Sequence, residues 1–240
     1  MAHAIRKAMA ENWNPTRPDI AEALTDVRET IALAAREAGR RPEDVTLVAV
    51  AKTFGPEAVE LAYDASQRVF GENRVQEAQA KYPDLKDRFP DLRLHLIGPL
   101  QTNKASDAVE LFDVIETLDR EKLARALAKQ RDKQGRCPDL FIQINTGGET
   151  QKAGCPPEAA AALLRLARDD LELPVVGLMC IPPIDEPPAV HFGLLVRLAR
   201  ELGLAGLSMG MSGDYETAVT LGATSVRVGS AIFGRRPKPT

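Results

Sequence analysis

The chain has 240 residues, enough for one large domain or two small ones, and carries a formal net charge of −3. That acidic balance argues against nucleic acid as a partner, since binding a phosphate backbone needs a basic face. Cys137, Cys155 and Cys180 form no CxxC, and His3, His95 and His191 lie far apart, so neither a disulfide framework nor a metal-ligand spacing is present.

Along the chain, residues 1–18 lack an apolar period, contain Pro15 and Pro18, and read as a loose lead-in to a single domain over 19–240. From Asp19, the three- and four-residue steps of Ile20, Leu24, Val27, Ile31 and Ala35 predict a helix, which Gly39 can close in a left-handed cap. Short β-rich runs then alternate with helical ones. The strands are expected at 45–51, 68–72, 92–98, 113–118, 139–145, 174–179, 206–210 and 225–229. Helical stretches between them include "PEAVELAYDAS", "DREKLARALAKQRDK", "PPEAAAALLRLARDD" and "PAVHFGLLVRLARELG". Strand–helix alternation means parallel βαβ units, and eight of them in about 250 residues is the count of a TIM barrel. The expected fold is α/β, a single (β/α)8 barrel with an extra N-terminal helix. A doubly wound open sheet is the alternative, but GxGxxG and GxxxxGK are both absent. No apolar stretch is long enough to span a membrane, and Arg6 and Lys7 precede no signal-like apolar segment.

Alternation along the strands selects the side chains that face the barrel axis. Lys52 shares parity with Val48 and Val50, Asn145 with Gln143, and Arg227 opposes Val226 and Val228. His95 opposes Leu94 and Leu96. Lys52, His95, Asn145 and Arg227 are therefore expected to point inward near the C-terminal strand ends, where barrels place their chemistry. The turns after strands seven and eight, "MGMSGDYE" and "RVGSAIFG", bring Ser212, Gly213, Gly229 and Ser230 to the usual phosphate position of barrels. An inward lysine, an inward arginine and a phosphate cradle suit a phosphorylated aldehyde held as a Schiff base. Pyridoxal 5'-phosphate (PLP) is the common cofactor of that kind.

Six segments, "LVAVAKTFGPEAV", "FGENRVQEAQAK", "LHLIGPLQTNK", "GLMCIPP", "LSMGMSGDY" and "VRVGSAIFGRR", resemble in order the signatures of the pyridoxal phosphate homeostasis protein family. The resemblance runs from about residue 45 to 236. It implies a fold-type III barrel like the N-terminal domain of alanine racemase. It also implies that Lys52 forms the Schiff base with PLP, that Arg227 faces the pyridine nitrogen, and that Ser212, Gly213, Gly229 and Ser230 hold the phosphate. Asn73, His95 and Met209 are implied to line the pocket. The family often has an aromatic residue where Leu94 stands and a threonine where Ser230 stands.

The expected function is binding and supply of PLP in vitamin B6 homeostasis, without robust catalysis. The chain continues only eleven residues beyond Gly229, which leaves no room for the second domain of barrel racemases. A low-activity amino-acid racemase and a Schiff-base aldolase stay open as alternatives. The expected partners are PLP, amino acids and apo-PLP enzymes, with no nucleic acid and no membrane. A cytoplasmic monomer is expected. Lys152, in "ETQKAG", reads as a solvated loop lysine.

Overall fold

The computed structural model describes residues 17–234; the lead-in over 1–16 and the basic tail over 235–240 lie outside the described residues. The first helix, α1 (Arg17–Glu37), starts two residues before the expected Asp19. Pro18 falls in its first turn, where a missing N–H costs no helical bond. Ile20, Leu24, Val27, Ile31 and Ala35 are all buried along one face of α1.

Gly39 ends the helix as expected, at φ +68°. Its N–H donates to Arg36 O at 2.9 Å, and the Arg40 N–H reaches back to Ala35 O at 2.8 Å. Those two bonds satisfy carbonyls that the helix end would otherwise leave bare. The Arg40 guanidinium continues across the molecule and donates to Val219 O and Ala223 O, each at 2.8 Å. A Cβ at position 39 would meet no atom within 4 Å. Gly39→Ala therefore carries a purely conformational penalty, expected at about 1 kcal/mol in urea unfolding, with ligand binding unchanged.

After α1 the chain alternates strand and helix eight times. The strands are β1 (Thr46–Val50), β2 (Val69–Glu72), β3 (Arg93–Leu96), β4 (Val114–Leu118), β5 (Asp139–Ile144), β6 (Val175–Cys180), β7 (Gly206–Ser208) and β8 (Ser225–Val228). The intervening helices are α2 (Pro56–Asp64), α3 (Val75–Arg88), α4 (Ala105–Leu111), α5 (Glu121–Gln134), α6 (Ala160–Leu164), α7 (Pro188–Glu201) and α8 (Tyr215–Thr220), with α9 (Ser230–Phe233) after β8. Neighbouring strands are parallel, and β1 pairs with β8 through Val48 opposite Arg227, closing the sheet. This is the expected (β/α)8 barrel.

One expected helix takes a different form. The stretch 156–170 is a 3₁₀ turn (Pro157–Ala159), then α6, then a π-helical turn (Arg165–Asp170). The wide turn closes through Leu171 N–H to Leu166 O at 2.9 Å, and Leu173 N–H binds Ala167 O at 2.8 Å. These bonds bring Leu173 into the core, which simple 3.6-residue periodicity does not anticipate.

Two apolar layers result. Ala49, Phe70, Leu94, Leu96, Ile115, Leu140, Ile142, Leu178 and Val226 belong to the large core beneath the helices. Inside the barrel, Val114, Phe141 and Met179 form a separate buried cluster. The interior also holds Val48 and Val50 together with the buried polar side chains of His95, Glu116, Ser208 and Arg227.

Candidate active site at the barrel mouth

Strand β1 delivers Lys52 to the C-terminal end of the barrel. Directly after it, Thr53 sits at φ +68°, a region that a β-branched residue rarely occupies. Strain of this kind is held in place only by surrounding bonds. One such bond comes from α3: the Lys81 ammonium donates to Ala51 O at 2.9 Å and to Glu72 Oε1 at 2.6 Å. Burial pushes the Glu72 carboxyl above its ordinary value, and the adjacent Lys81 charge opposes that rise.

A cavity of about 350 Å³ opens at this end. Lys52, Asn73, Ser212, Gly213, Arg227, Gly229 and Ser230 line it, with Val50, Ile97, Gly98, Pro99, Ile181 and Met211. Lys52 is half-buried and makes no hydrogen bond or ion pair among the described residues. Ser212 Oγ accepts the Gly229 N–H at 3.2 Å, so the turns after β7 and β8 are tied together. Gly98 permits another close approach: a Cβ there would lie 2.2 Å from Asn73 O. The loop after β3 can therefore lie directly on the loop after β2.

Three of the expected residues lie elsewhere. His95 is buried one layer lower, with Nδ1 2.7 Å from Glu116 Oε1, and does not line the cavity. Met209 is fully buried in the outer core, while Met211 lies on the cavity wall. Gly210, at φ +92°, turns the chain between the two methionines. Asn145 does not line the cavity either. Its amide donates to Glu149 O at 2.8 Å and its Oδ1 accepts the Glu149 N–H at 3.2 Å, so it organises its own loop. Lys152 is ion-paired with Glu149 at 2.6 Å and donates to Pro182 O at 3.2 Å.

Beneath the cavity lies a charged layer. Arg227 is 3 % exposed and Glu116 is fully buried, with Arg227 Nη1 3.7 Å from Glu116 Oε2. Arg227 also donates through Nη1 to Ser208 Oγ, and through Nη2 to Cys180 O at 2.8 Å. Burial alone would raise the Glu116 carboxyl; hydrogen bonds from His95 and Ser208 and the charge of Arg227 outweigh it and hold the carboxyl below its ordinary value.

Comparison with known proteins agrees with the barrel fold. The family model described as "Alanine racemase, N-terminal domain" matches residues 24–237. The pyridoxal phosphate homeostasis protein of Pseudomonas aeruginosa is 43% identical over 222 residues, covering 90% of this chain and 96% of the relative. The chain belongs to the pyridoxal phosphate homeostasis protein family. PipY of Synechococcus elongatus PCC7942 is similar in structure as well. Without PLP it aligns at a TM-score of 0.80 and 40% identity, and with PLP bound at 0.77 and 38%. Each alignment covers 90% of this chain and 100% of that one.

In this family member, sequence reasoning missed Glu116, Ser208, Met211 and Lys81. Glu116 shares parity with Val114 in "DVIETL", and Ser208 has the inward parity of its own short strand. Applying the parity test to strands four and seven would have found both.

The three thiols take no part in the cavity lining. Burial pushes Cys137 up to about 11, and Cys155 and Cys180 up to about 12. Only the thiolate is strongly nucleophilic. At about pH 7.5, iodoacetamide is therefore expected to label the native protein slowly and all three cysteines rapidly after unfolding, as read by mass increments. Rapid labelling of native Cys180 would contradict this.

Proposed function

We propose that this chain binds PLP in the barrel-mouth cavity and serves as an intracellular holder and supplier of the cofactor. The observation that carries the reading is Lys52, without a bond to the protein among the described residues, on the same cavity as Arg227, Ser212, Gly229 and Ser230. The residues fit the group. A cavity of about 350 Å³ is within the range of small-molecule sites. Val50, Ile97, Ile181 and Met211 offer apolar walls for a ring, and serine hydroxyls stand ready for a phosphate.

When bound, the cofactor would supply an aldehyde carbon for reaction with a primary amine. Lys52 provides that amine. Arg227, fixed from behind by Ser208 and Cys180, provides an N–H donor for the ring nitrogen. Arginine keeps its proton, so the ring nitrogen stays an acceptor and the ring stays a weaker electron sink. Ser212, Ser230 and the Gly213 backbone would hold the phosphate, with Gly229 tying the Ser212 turn in place, and Asn73 would close the side.

A carrier fits better than a racemase because, among the described residues, no tyrosine lines the cavity to act as an opposing base. Tyr82 is fully buried, Tyr215 belongs to the core, and the Tyr63 hydroxyl donates to Asp91. Three free cysteines suit the reducing cytoplasm. Amino acids and apo-PLP enzymes are the acceptors that such a holder would serve.

Borohydride reduction followed by peptide mass spectrometry tests the reading. The expected adduct is on Lys52; an adduct confined to Lys152, or none, overturns it. Exchange of amino-acid α-protons in heavy water at ordinary enzymatic rates would replace the carrier with the racemase alternative.

A further inference from the structure

The fully buried carboxylate of Glu116 has no part in the function proposed above, yet it is the hub of the layer below the cavity. Three other strands direct groups toward it. His95 Nδ1, from β3, lies 2.7 Å from Oε1. The Ser208 hydroxyl, from β7, donates to Oε2 at 2.6 Å. Arg227, from β8, donates to Ser208 Oγ and lies 3.7 Å from Oε2. An ionised carboxylate only accepts hydrogen bonds, so its presence sets the direction of the whole chain. Arg227 N–H points to Ser208 Oγ, Ser208 O–H points to Glu116, and the His95 proton sits on Nδ1. A charge so deeply buried is tolerated only with compensating partners, and here they are present.

We propose that Glu116 is a positioning residue that locks the Arg227 guanidinium in one orientation at the cavity floor and holds His95 as the Nδ1–H tautomer. The Arg227 half rests on the reading that PLP meets this arginine; the His95 half does not.

The near-isosteric Glu116→Gln cannot meet both demands. With its carbonyl oxygen toward His95, its NH₂ group faces Ser208 Oγ, which already accepts from Arg227, and the Ser208 proton loses its acceptor. With the amide reversed, Ser208 keeps an acceptor, but His95 must move its proton to Nε2. The first arrangement loosens Arg227 and the second inverts the histidine.

The test combines two measurements. Long-range ¹H–¹⁵N spectra of ¹⁵N-histidine-labelled apo protein, with His95 assigned by its loss in His95→Gln, report the tautomer without any cofactor. Titration with PLP then compares wild type, Glu116→Gln, Arg227→Ala and the double variant. Wild-type His95 is expected as Nδ1–H. Glu116→Gln is expected to raise the PLP Kd about tenfold in the wild-type background, the scale of one hydrogen bond to a charged group, and less than about twofold in Arg227→Ala. A wild-type Nε2–H tautomer overturns the proposal, and so does an equal loss in both backgrounds. If Glu116→Gln does not fold, Ser208→Ala cuts only the arginine link. It should raise Kd while leaving His95 as Nδ1–H, and an unchanged Kd overturns the proposal. Failure of wild type to bind PLP at all sinks the reading of the site, while the tautomer still judges the role of Glu116.

Discussion

Lys52→Ala is expected to be colourless, to retain no cofactor through dialysis and to give no borohydride-fixed adduct. Its affinity for PLP should fall at least about 100-fold, or about 2.8 kcal/mol. Among the described residues, no second amine lines the cavity. Lys152 is paired with Glu149, and Lys81 is held between Glu72 and Ala51 O, outside the cavity lining. Arginine cannot substitute, because it does not give up its proton. Stability should be almost unaffected, because Lys52 makes no bond in the fold among the described residues. Absorbance spectra and thermal unfolding of the purified variant check both statements. A variant that stays yellow at full occupancy would remove Lys52 from its assigned role.

Arg227→Ala is expected to do damage of two kinds. Removing one partner of a buried pair strands the other, and Glu116 is fully buried. The apo protein should lose about 3 kcal/mol in urea unfolding. PLP retention should weaken by a further 1–3 kcal/mol or so, the value of a hydrogen bond involving a charged group. The stability deficit has a definite pH dependence. In the wild type the Glu116 carboxyl is held below its ordinary value near 4.5, so its stabilising contribution is complete above that value and is lost as pH falls through the native one. Once Glu116 is protonated, removal of Arg227 no longer strands a charge. The deficit should therefore be largest near neutral pH and shrink below about pH 4.5. A deficit that is constant with pH would mean that Glu116 is already neutral in the fold.

The eight strands could be read from the sequence because each is a short β-rich run bounded by turn residues, and their observed bounds differ from the expected ones by only a residue or two at each end. Alternation also placed Lys52 and Arg227 on the cavity, since strand parity is a local rule. What escaped depended on contacts between distant segments. Lys81 reaches Ala51 O across thirty residues. Asn145 has the inward parity, but its bonds to Glu149 draw it into its own loop. The positive φ of Gly210 ends the strand alternation between Met209 and Met211, so extending that pattern past the strand end fails there. Glu116 is a different case. Its parity was visible, but an acidic residue inside a barrel becomes intelligible only when Ser208, His95 and Arg227 are seen around it.

The cluster of Val114, Phe141 and Met179 inside the barrel has a consequence for traffic. These side chains pack inside the barrel, so a ligand of the cavity would enter and leave by the same C-terminal mouth. Filling and emptying then compete for one rim. A recipient that caps this rim while waiting for its delivery would also bar the next load until it departs.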